Sequence, residues 1–339
     1  MTGRGFDVDD HEQFDRPRRR TRPRTKERPS YPDAVSGFVI TVDRGRYTCV
    51  IEGEEEDGSP RVVTAMKSRP LGRQGVVVGD RVRMVGDVSA VAGSLARIVE
   101  VEDRSTVLRR TADDDDPVER VVVANADQLV IVAALADPEP SPRLIDRCLV
   151  AAYDAGLDPL LCLTKPDLAP PDPLLDIYRP LGVPYVVTER DSALAELQTR
   201  LADRVSVLVG HSGVGKSTLV NGLVPGTDRA IGSVNTITGR GRHTSTSLLA
   251  LRLSRGGWVI DTPGIRSFGL AHVDPSHLIE AFPDLAELTA SCPRGCTHAV
   301  GEPECGLDDA ISDGRTERAR VESYRRLLAS REGGDQPGR

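Results

Sequence analysis

One segment of the chain has the residue types and the spacing of a phosphate-binding loop. It fits the pattern G-x-x-x-x-G-K-[ST] completely and runs Gly210-His211-Ser212-Gly213-Val214-Gly215-Lys216-Ser217. Glycines in this pattern let backbone N–H groups close around a β-phosphate, and Thr218 begins a predicted helix whose N-terminus favours anions. Lys216 would neutralise the β- and γ-oxygens, and Ser217 would ligate Mg²⁺. The segment therefore predicts a nucleoside triphosphate site.

A second segment supports the same chemistry. The apolar run Trp258-Val259-Ile260 ends in Asp261-Thr262-Pro263-Gly264, which is a D-x-x-G turn. Asp261 stands where the carboxylate facing Mg²⁺ belongs in a P-loop nucleotidase, and the N–H of Gly264 stands where the γ-phosphate is sensed. Together with the upstream loop, this turn predicts hydrolysis of the terminal phosphate.

A third segment, Thr164-Lys165-Pro166-Asp167, follows the apolar run 159–163 and predicts which base is bound. The carboxylate of Asp167 can accept hydrogen bonds from both N1–H and N2–H of guanine, while Lys165 packs along the base. Adenine presents an acceptor at N1, and sites built on such paired bonds reject an analogue by roughly 10⁴-fold. The segment predicts guanine.

A cluster of metal-ligand residue types lies further along the chain and comprises Cys292, Cys296, His298 and Cys305. Three thiolates and one imidazole complete a tetrahedral set with no open position, which favours a structural zinc ion over a catalytic metal. Reduced cysteines without a metal are the alternative.

The N-terminal third of the chain precedes these segments and divides into three parts. Residues 1–34 form a predicted disordered basic arm, in which the run Arg16 to Arg28 either touches RNA phosphates or only confers solubility. Residues 35–108 contain five short β-type runs separated by turns, and we expect an OB-type barrel, a fold often used on oligonucleotides. Residues 109–120 are a predicted linker.

The rest of the chain changes pattern. Residues 121–272 alternate buried strand runs with helical stretches such as Arg143 to Ala155, which predicts a parallel sheet with flanking helices. Residues 273–339 read as mainly helical around the cluster, with a stripe that serves packing: Val321, Tyr324, Leu327 and Leu328. The fold class expected is multidomain α/β, with an N-terminal OB-type barrel, a central nucleotide-binding domain and a C-terminal helical zinc-binding domain.

Charge and hydropathy exclude other classes. The net charge of −7 excludes a globally basic nucleic-acid binder. The longest apolar run, Leu129 to Ala136, is far shorter than the roughly 20 residues of a membrane span, and the N-terminus has no apolar signal core. We expect a cytoplasmic protein without membrane contact, acting as a monomer.

The order of the three nucleotide segments is unusual. In ordinary GTPases the guanine segment follows the other two, whereas here it precedes both. With this order the chain resembles the circularly permuted GTPases and, closely, the ribosome small-subunit-dependent GTPase family. Further segments that resemble this family are Asn125-Ala126-Asp127-Gln128, Asp146-Arg147, Gly239 to Thr246 and Thr262 to Leu270.

The resemblance implies a function and places further residues. It implies a GTP hydrolase that is stimulated by the small ribosomal subunit, contacts ribosomal RNA through the β-domain and the zinc domain, and acts late in assembly of that subunit. Residues 241–246 fall on the first switch, where the hydroxyl of either Thr244 or Thr246 would close on Mg²⁺. The family's zinc ligands usually have four residues between the first two cysteines, and this chain has three.

Two departures from ordinary GTPases bear on the mechanism. Thr164 replaces the usual asparagine and loses a side-chain amide tie. Ile265 stands where many GTPases have the glutamine that orients the attacking water, so we expect slow intrinsic turnover and assign the water to His243. Two alternatives remain open: an RNA-binding module that barely turns GTP over, and an ATPase or nucleotide kinase.

Overall fold

The computed structural model describes residues 31–56, 59–72, 74–91, 93–111, 119–189, 194–225, 248–262, 270 and 273–331. Its first five strands are β1 (Val35–Asp43), β2 (Arg46–Glu56), β3 (Ser59–Lys67), β4 (Arg81–Gly86) and β5 (Ala96–Val101). They close into a barrel in the order β1-β2-β3-β5-β4, because β1 pairs with both β2 and β4. Alternate side chains of these strands fill the interior, which confirms the expected five-stranded barrel.

The second part of the fold is a six-stranded sheet. Its strands are β8 (Gln128–Ala134), β9 (Asp158–Thr164), β10 (Tyr185–Thr188), β11 (Val205–Val209), β12 (Leu249–Arg252) and β13 (Trp258–Asp261). They lie in the order β10-β9-β8-β11-β13-β12, and every neighbouring pair is parallel except β12 with β13. The expected α/β sheet is confirmed, with the antiparallel strand β12 as an addition that the sequence did not predict.

Helices cover both faces of this sheet: α1 (Pro142–Asp154), α2 (Asp172–Tyr178), α3 (Leu194–Leu201) and α4 (Lys216–Leu223). Ser141 caps α1 by accepting from the N–H of Leu144, and Pro142 begins the first turn. Since both faces are covered, every residue of β8 is buried, which explains why this strand is an uninterrupted apolar run after Gln128.

The barrel and the sheet are joined through hydrogen-bonded strands. β1 pairs with β12 at Thr41 and Leu249, and a hairpin of β6 (Val107–Arg110) and β7 (Arg120–Ala124) leads into β8. Asn125 fastens this junction, because its side-chain Nδ2 donates to the carbonyl of Gly79 at 2.9 Å. A Cβ on Gly79 would lie 2.0 Å from the carbonyl oxygen of Ala124, so only glycine fits this approach.

The C-terminal region is mainly helical, as expected. Its helices are α5 (Pro275–Leu278), α6 (Pro283–Leu288), α7 (Gly306–Ser312) and α8 (Arg318–Arg331). Val321, Tyr324 and Leu327 of α8 are fully buried and Leu328 is partly buried against the same core, which confirms the packing stripe. None of the described helices is long and apolar enough to cross a membrane.

Helix α8 is fixed to α1 of the sheet by charged contacts. Arg326 donates to the buried carboxylate of Asp146 at 2.9 Å, and Arg147 donates to the carbonyl of Ser330 at 2.9 Å. Burial raises the pKa of Asp146, against the opposite effect of Arg326. The Asp146-Arg147 pair therefore attaches the C-terminal region to the nucleotide-binding sheet.

Candidate functional site

The carboxyl ends of the parallel strands bring the three nucleotide segments to one edge of the sheet. Thr164, the first residue of the guanine segment, is the last residue of β9. The loop beginning at Gly210 follows β11, and Asp261 is the last residue of β13. The register places Thr164 opposite Ala134 and Leu208 opposite Asp261 on the neighbouring strands. Segments that are far apart in the chain therefore share one crevice, where open α/β sheets bind their ligands.

The phosphate loop needs its glycines for space and for conformation. A Cβ on Gly210 would lie 2.4 Å from the carbonyl oxygen of Val132. Gly213 and Gly215 have φ values of 85° and 90°, which side-chain-bearing residues rarely adopt. Helix α4 then begins at Lys216, so its first N–H groups are directed to the loop, as phosphate binding requires.

Lys216 and Asp261 form the charged centre of the site. The Nζ of Lys216 donates to the carbonyl of Thr262 at 3.0 Å and lies 3.6 Å from Oδ1 of Asp261. That Oδ1 atom is buried and has no hydrogen-bond partner among the described residues. A buried carboxylate oxygen that makes an ion pair but no hydrogen bond, beside the helix whose first turn contains Ser217, fits a Mg²⁺ ion held by oxygen ligands.

The guanine segment is tied to the phosphate loop by its first residue. The buried Oγ1 of Thr164 donates to the carbonyl of Val214 at 2.6 Å. Thr164 lacks the side-chain amide of the usual asparagine, but its hydroxyl supplies a tie of its own. The two segments are thus held together before any ligand binds.

The next residues of the guanine segment face outward. The Nζ of Lys165 donates to the carbonyl of Asp137, a residue of the loop between β8 and α1. The carboxylate of Asp167 is exposed and makes no hydrogen bond or ion pair within the described parts of the chain. It is therefore free to accept from a ligand. The contact of Lys165 with Asp137 was not foreseen, and no pattern around residue 137 signals it.

Four predicted site residues lie outside the described residues: His243, Thr244, Thr246 and Gly264. Their roles stay predictions.

The four metal-ligand side chains converge in the structure. Their ligand atoms all lie within 4.8 Å of one another. The Nδ1 atom of His298 is 3.7 Å, 3.4 Å and 3.8 Å from the Sγ atoms of Cys292, Cys296 and Cys305. Bonds of about 2.3 Å to sulfur and 2.0–2.1 Å to nitrogen place tetrahedral ligands roughly 3.5 Å apart. The set therefore fits a tetrahedral zinc ion.

The surroundings of the cluster are also suited to thiolates. The N–H of Gly306 donates to Sγ of Cys292 at 3.1 Å, and a Cβ on this glycine would lie 2.5 Å from the carbonyl oxygen of Leu288. Burial, together with the neighbouring thiols of Cys305 and Cys292, raises the pKa of Cys296 to about 11. A dication is what would allow these crowded thiols to ionise together.

The remaining cysteines have a different role. Cys49, Cys148 and Cys162 are buried in apolar surroundings, and burial raises the pKa of each thiol to about 12. They are packing residues.

The fold and the order of the site segments define a circularly permuted P-loop GTPase. Residues 101–271 match the family model of the RsgA GTPase, which is half of the chain. The chain belongs to the RsgA GTPase family.

Individual relatives agree with this family. The "Small ribosomal subunit biogenesis GTPase RsgA" of Ectopseudomonas mendocina (strain ymp) is 46% identical over 218 residues, 62% of this chain. That alignment spans 63% of the relative, less than two thirds of its length. The protein of the same name from Pseudomonas savastanoi pv. phaseolicola is 39% identical over 83% of this chain and 81% of its own length. The crystal structure of YjeQ from Thermotoga maritima matches with a TM-score of 0.65 and 27% identity, covering 89% of this chain and 99% of that one.

Proposed function

We propose that this protein hydrolyses GTP to GDP and phosphate with Mg²⁺, that the small ribosomal subunit stimulates this reaction, and that the protein acts late in maturation of that subunit. The names of its relatives support the ribosomal role. In this proposal the protein works in the cytoplasm as a monomer and binds ribosomal RNA.

One observation carries the nucleotide part of the proposal. The 2.6 Å hydrogen bond from Thr164 to Val214 connects the guanine-reading segment with the phosphate loop. A base and its phosphates can therefore be held by one preorganised unit, and the free carboxylate of Asp167 supplies the discrimination against adenine.

The residues of the sheet edge have separate roles in this proposal. The loop from Gly210 to Ser217, with Thr218, surrounds the phosphates, and Lys216 moves from Thr262 to the β- and γ-oxygens when the nucleotide enters. Ser217 and Asp261, with Thr244 or Thr246, hold Mg²⁺, which neutralises charge that develops on the phosphates.

Hydrolysis also needs an oriented water molecule. Ile265 has no hydrogen-bonding side chain, and we assign this role to His243 in the first switch, where a neutral imidazole can accept the proton of the attacking water. Gly264 would sense the γ-phosphate through its N–H. Contact with the small subunit would complete this arrangement.

The Cys/His cluster is proposed to hold one structural zinc ion through Cys292, Cys296, His298 and Cys305. Its convergent geometry and the lack of an open ligand position support a structural role. In this proposal the zinc domain and the barrel bind the ribosomal RNA.

The test is phosphate release from GTP and from ATP, each with small subunits, with large subunits and without particles. We expect slow turnover of GTP and none of ATP in the absence of particles. Small subunits, and not large subunits, should increase GTP turnover by roughly 10³- to 10⁵-fold. Equal use of ATP would contradict the role of Asp167.

A variant tests whether His243 orients the attacking water. His243→Ala should lose at least about 10²-fold of stimulated turnover while retaining GTP affinity. The matched control is His277→Ala, an exposed histidine on α5.

A second candidate function is favoured by the closed barrel, whose fold often binds oligonucleotides. In that case the protein is chiefly an RNA-binding module whose GTP is barely turned over. GTP binding without stimulation by any ribosomal particle would favour this alternative.

A further inference from the structure

One arginine of helix α8, Arg325, contacts three parts of the C-terminal region at once. Its Nε donates to the backbone carbonyl of His298 at 2.9 Å. Its Nη1 and Nη2 donate to the two carboxylate oxygens of Asp308 at 2.7 Å each, and Nη2 lies 3.7 Å from Sγ of Cys305. The side chain is only 8% exposed. Every nitrogen of the guanidinium is therefore engaged, and two of the bonding groups belong to the cluster.

We infer that Arg325 is a positioning residue of the Cys/His cluster that holds the ligand set together and slows the loss of the metal. This inference rests on the zinc site of the proposed function. It adds a residue that supplies no ligand atom and that lies in the chain well after the four ligands.

The first reason is geometric. His298 has a φ of 58°, a left-handed conformation that is uncommon for residues other than glycine. The hydrogen bond from Arg325 to its carbonyl holds the backbone in this conformation, which directs Nδ1 to the three thiols. Asp308 lies on α7, the helix that begins directly after Cys305, and its bidentate contact fixes the plane of the guanidinium.

The second reason is electrostatic. Three thiolates and one imidazole around a dication carry a net charge of −1. A buried guanidinium beside Cys305 offsets that charge and donates an N–H to sulfur, in the way that outer hydrogen bonds stabilise metal ligands. Lysine could supply the charge, but its single ammonium group cannot span the carbonyl, the carboxylate and the sulfur together.

The neighbouring residue offers a matched control. Arg326 points from the same helix to the other side, where it contacts Asp146 at 2.9 Å and the carbonyl of Ile177 at 3.3 Å. Replacing it removes a similar set of arginine contacts, from a side chain that is 33% exposed against 8% for Arg325, without touching the cluster.

The experiment measures zinc release from the full chain, loaded with one equivalent of Zn²⁺ under reducing conditions and mixed with a chromogenic chelator. Arg325→Gln is expected to raise the rate of zinc release by about 10- to 100-fold, because losing an outer partner of a metal ligand typically lowers metal affinity by that factor and the loss falls on the release step. Arg326→Gln should release zinc at the rate of the unchanged protein. The absorption spectrum of the Co²⁺-loaded protein gives a second readout, and we expect it to change for Arg325→Gln only.

The outcomes separate this inference from the proposed zinc site. If the unchanged protein holds no stoichiometric zinc, the proposed site fails and the inference fails with it. If it holds zinc and Arg325→Gln releases zinc no faster, the inference alone is overturned. Should Arg325→Gln not fold, Arg325→Lys and Asp308→Asn test the same contacts. Equal release from both of these variants and the unchanged protein would also overturn it.

Discussion

Replacing Thr164 by valine would remove a single hydroxyl group at the junction of the guanine segment and the phosphate loop. This hydroxyl is buried and donates to the carbonyl of Val214 at 2.6 Å. Valine has a similar shape, so the change removes the hydrogen bond with little change in packing. The variant therefore tests whether this bond preorganises the loop.

The size of the effect follows from the burial of the bond. A buried carbonyl that loses its hydrogen-bond partner destabilises the folded state by about 1–3 kcal/mol. If the loop keeps its position, this loss appears in the free energy of unfolding. If the loop relaxes in the free protein, the loss appears in nucleotide affinity and corresponds to an increase in Kd of about 5- to 150-fold.

Base preference should not change. The hydroxyl of Thr164 contacts the backbone of the loop that holds phosphates, so GTP and ATP analogues should lose affinity by the same factor. Titration calorimetry with non-hydrolysable analogues of both nucleotides measures this factor, and urea unfolding measures the remainder. Thr164→Ser is the control, because it keeps the hydroxyl. Two results would refute the reasoning: unchanged affinity and stability in Thr164→Val, or a loss confined to the guanine nucleotide.

Three further predictions concern other contacts of the described chain. Asp167→Asn places an amide group against the N–H groups of guanine, and we expect GTP affinity to fall by at least about 100-fold with ATP affinity unchanged, as measured by calorimetry. Arg326→Gln leaves the Asp146 carboxylate, which is 3% exposed, without its ion pair, and should lower the free energy of unfolding in urea by about 3 kcal/mol. The hydrogen bonds from Arg320 to Asp284 lower the pKa of that carboxyl. The pair therefore stabilises the fold at pH values above about 3.9, the pKa of this carboxyl in the unfolded chain. Its contribution is under about 1 kcal/mol at this half-exposed site and disappears as the pH falls through the lowered pKa. The difference in unfolding free energy between the protein and Asp284→Asn, measured in urea at each pH, should vanish over the same range.

Each of these predictions has a contradicting result. Retained preference for GTP in Asp167→Asn would remove Asp167 from base recognition. Unchanged stability in Arg326→Gln would mean that Asp146 finds water or another partner. A difference for Asp284→Asn that grows as the pH falls would reverse the sign of the linkage.

Much of the fold could be predicted from local patterns, and the exception shows why the rest could not. The five barrel strands and most strands of the sheet are apolar or alternating runs, and such local patterns predict strands. Strand β12 (Leu249–Arg252) has only four residues, and it is a strand because it pairs with β13 on one side and with β1 on the other. Such pairing is a property of distant neighbours, which periodicity does not report.

The candidate site shows the same division. The phosphate loop is contiguous, so its spacing alone predicts it. The contact of Lys165 with Asp137 depends on two loops that follow neighbouring strands, and no pattern in either loop signals it. In the cluster, the three residues between Cys292 and Cys296 are one fewer than is usual in the family, so the sequence alone does not tell whether both thiols can reach the same metal. Gly295, with a φ of 83°, turns the chain between Cys292 and Cys296, and both thiols reach the same histidine nitrogen.

The closure of the barrel through β1 has a consequence for synthesis of the protein. All five barrel strands emerge early from the ribosome and can pair with one another, because β1 has two partners within the barrel. The central strand β11 and its neighbour β13 emerge much later. Until then the edge of β8 that pairs with β11 stays unpaired, and such non-local pairing is slow. We expect the nascent barrel to be folded while the nucleotide-binding sheet is still incomplete. In terms of the proposed function, translation completes the RNA-binding barrel before the sheet that binds GTP.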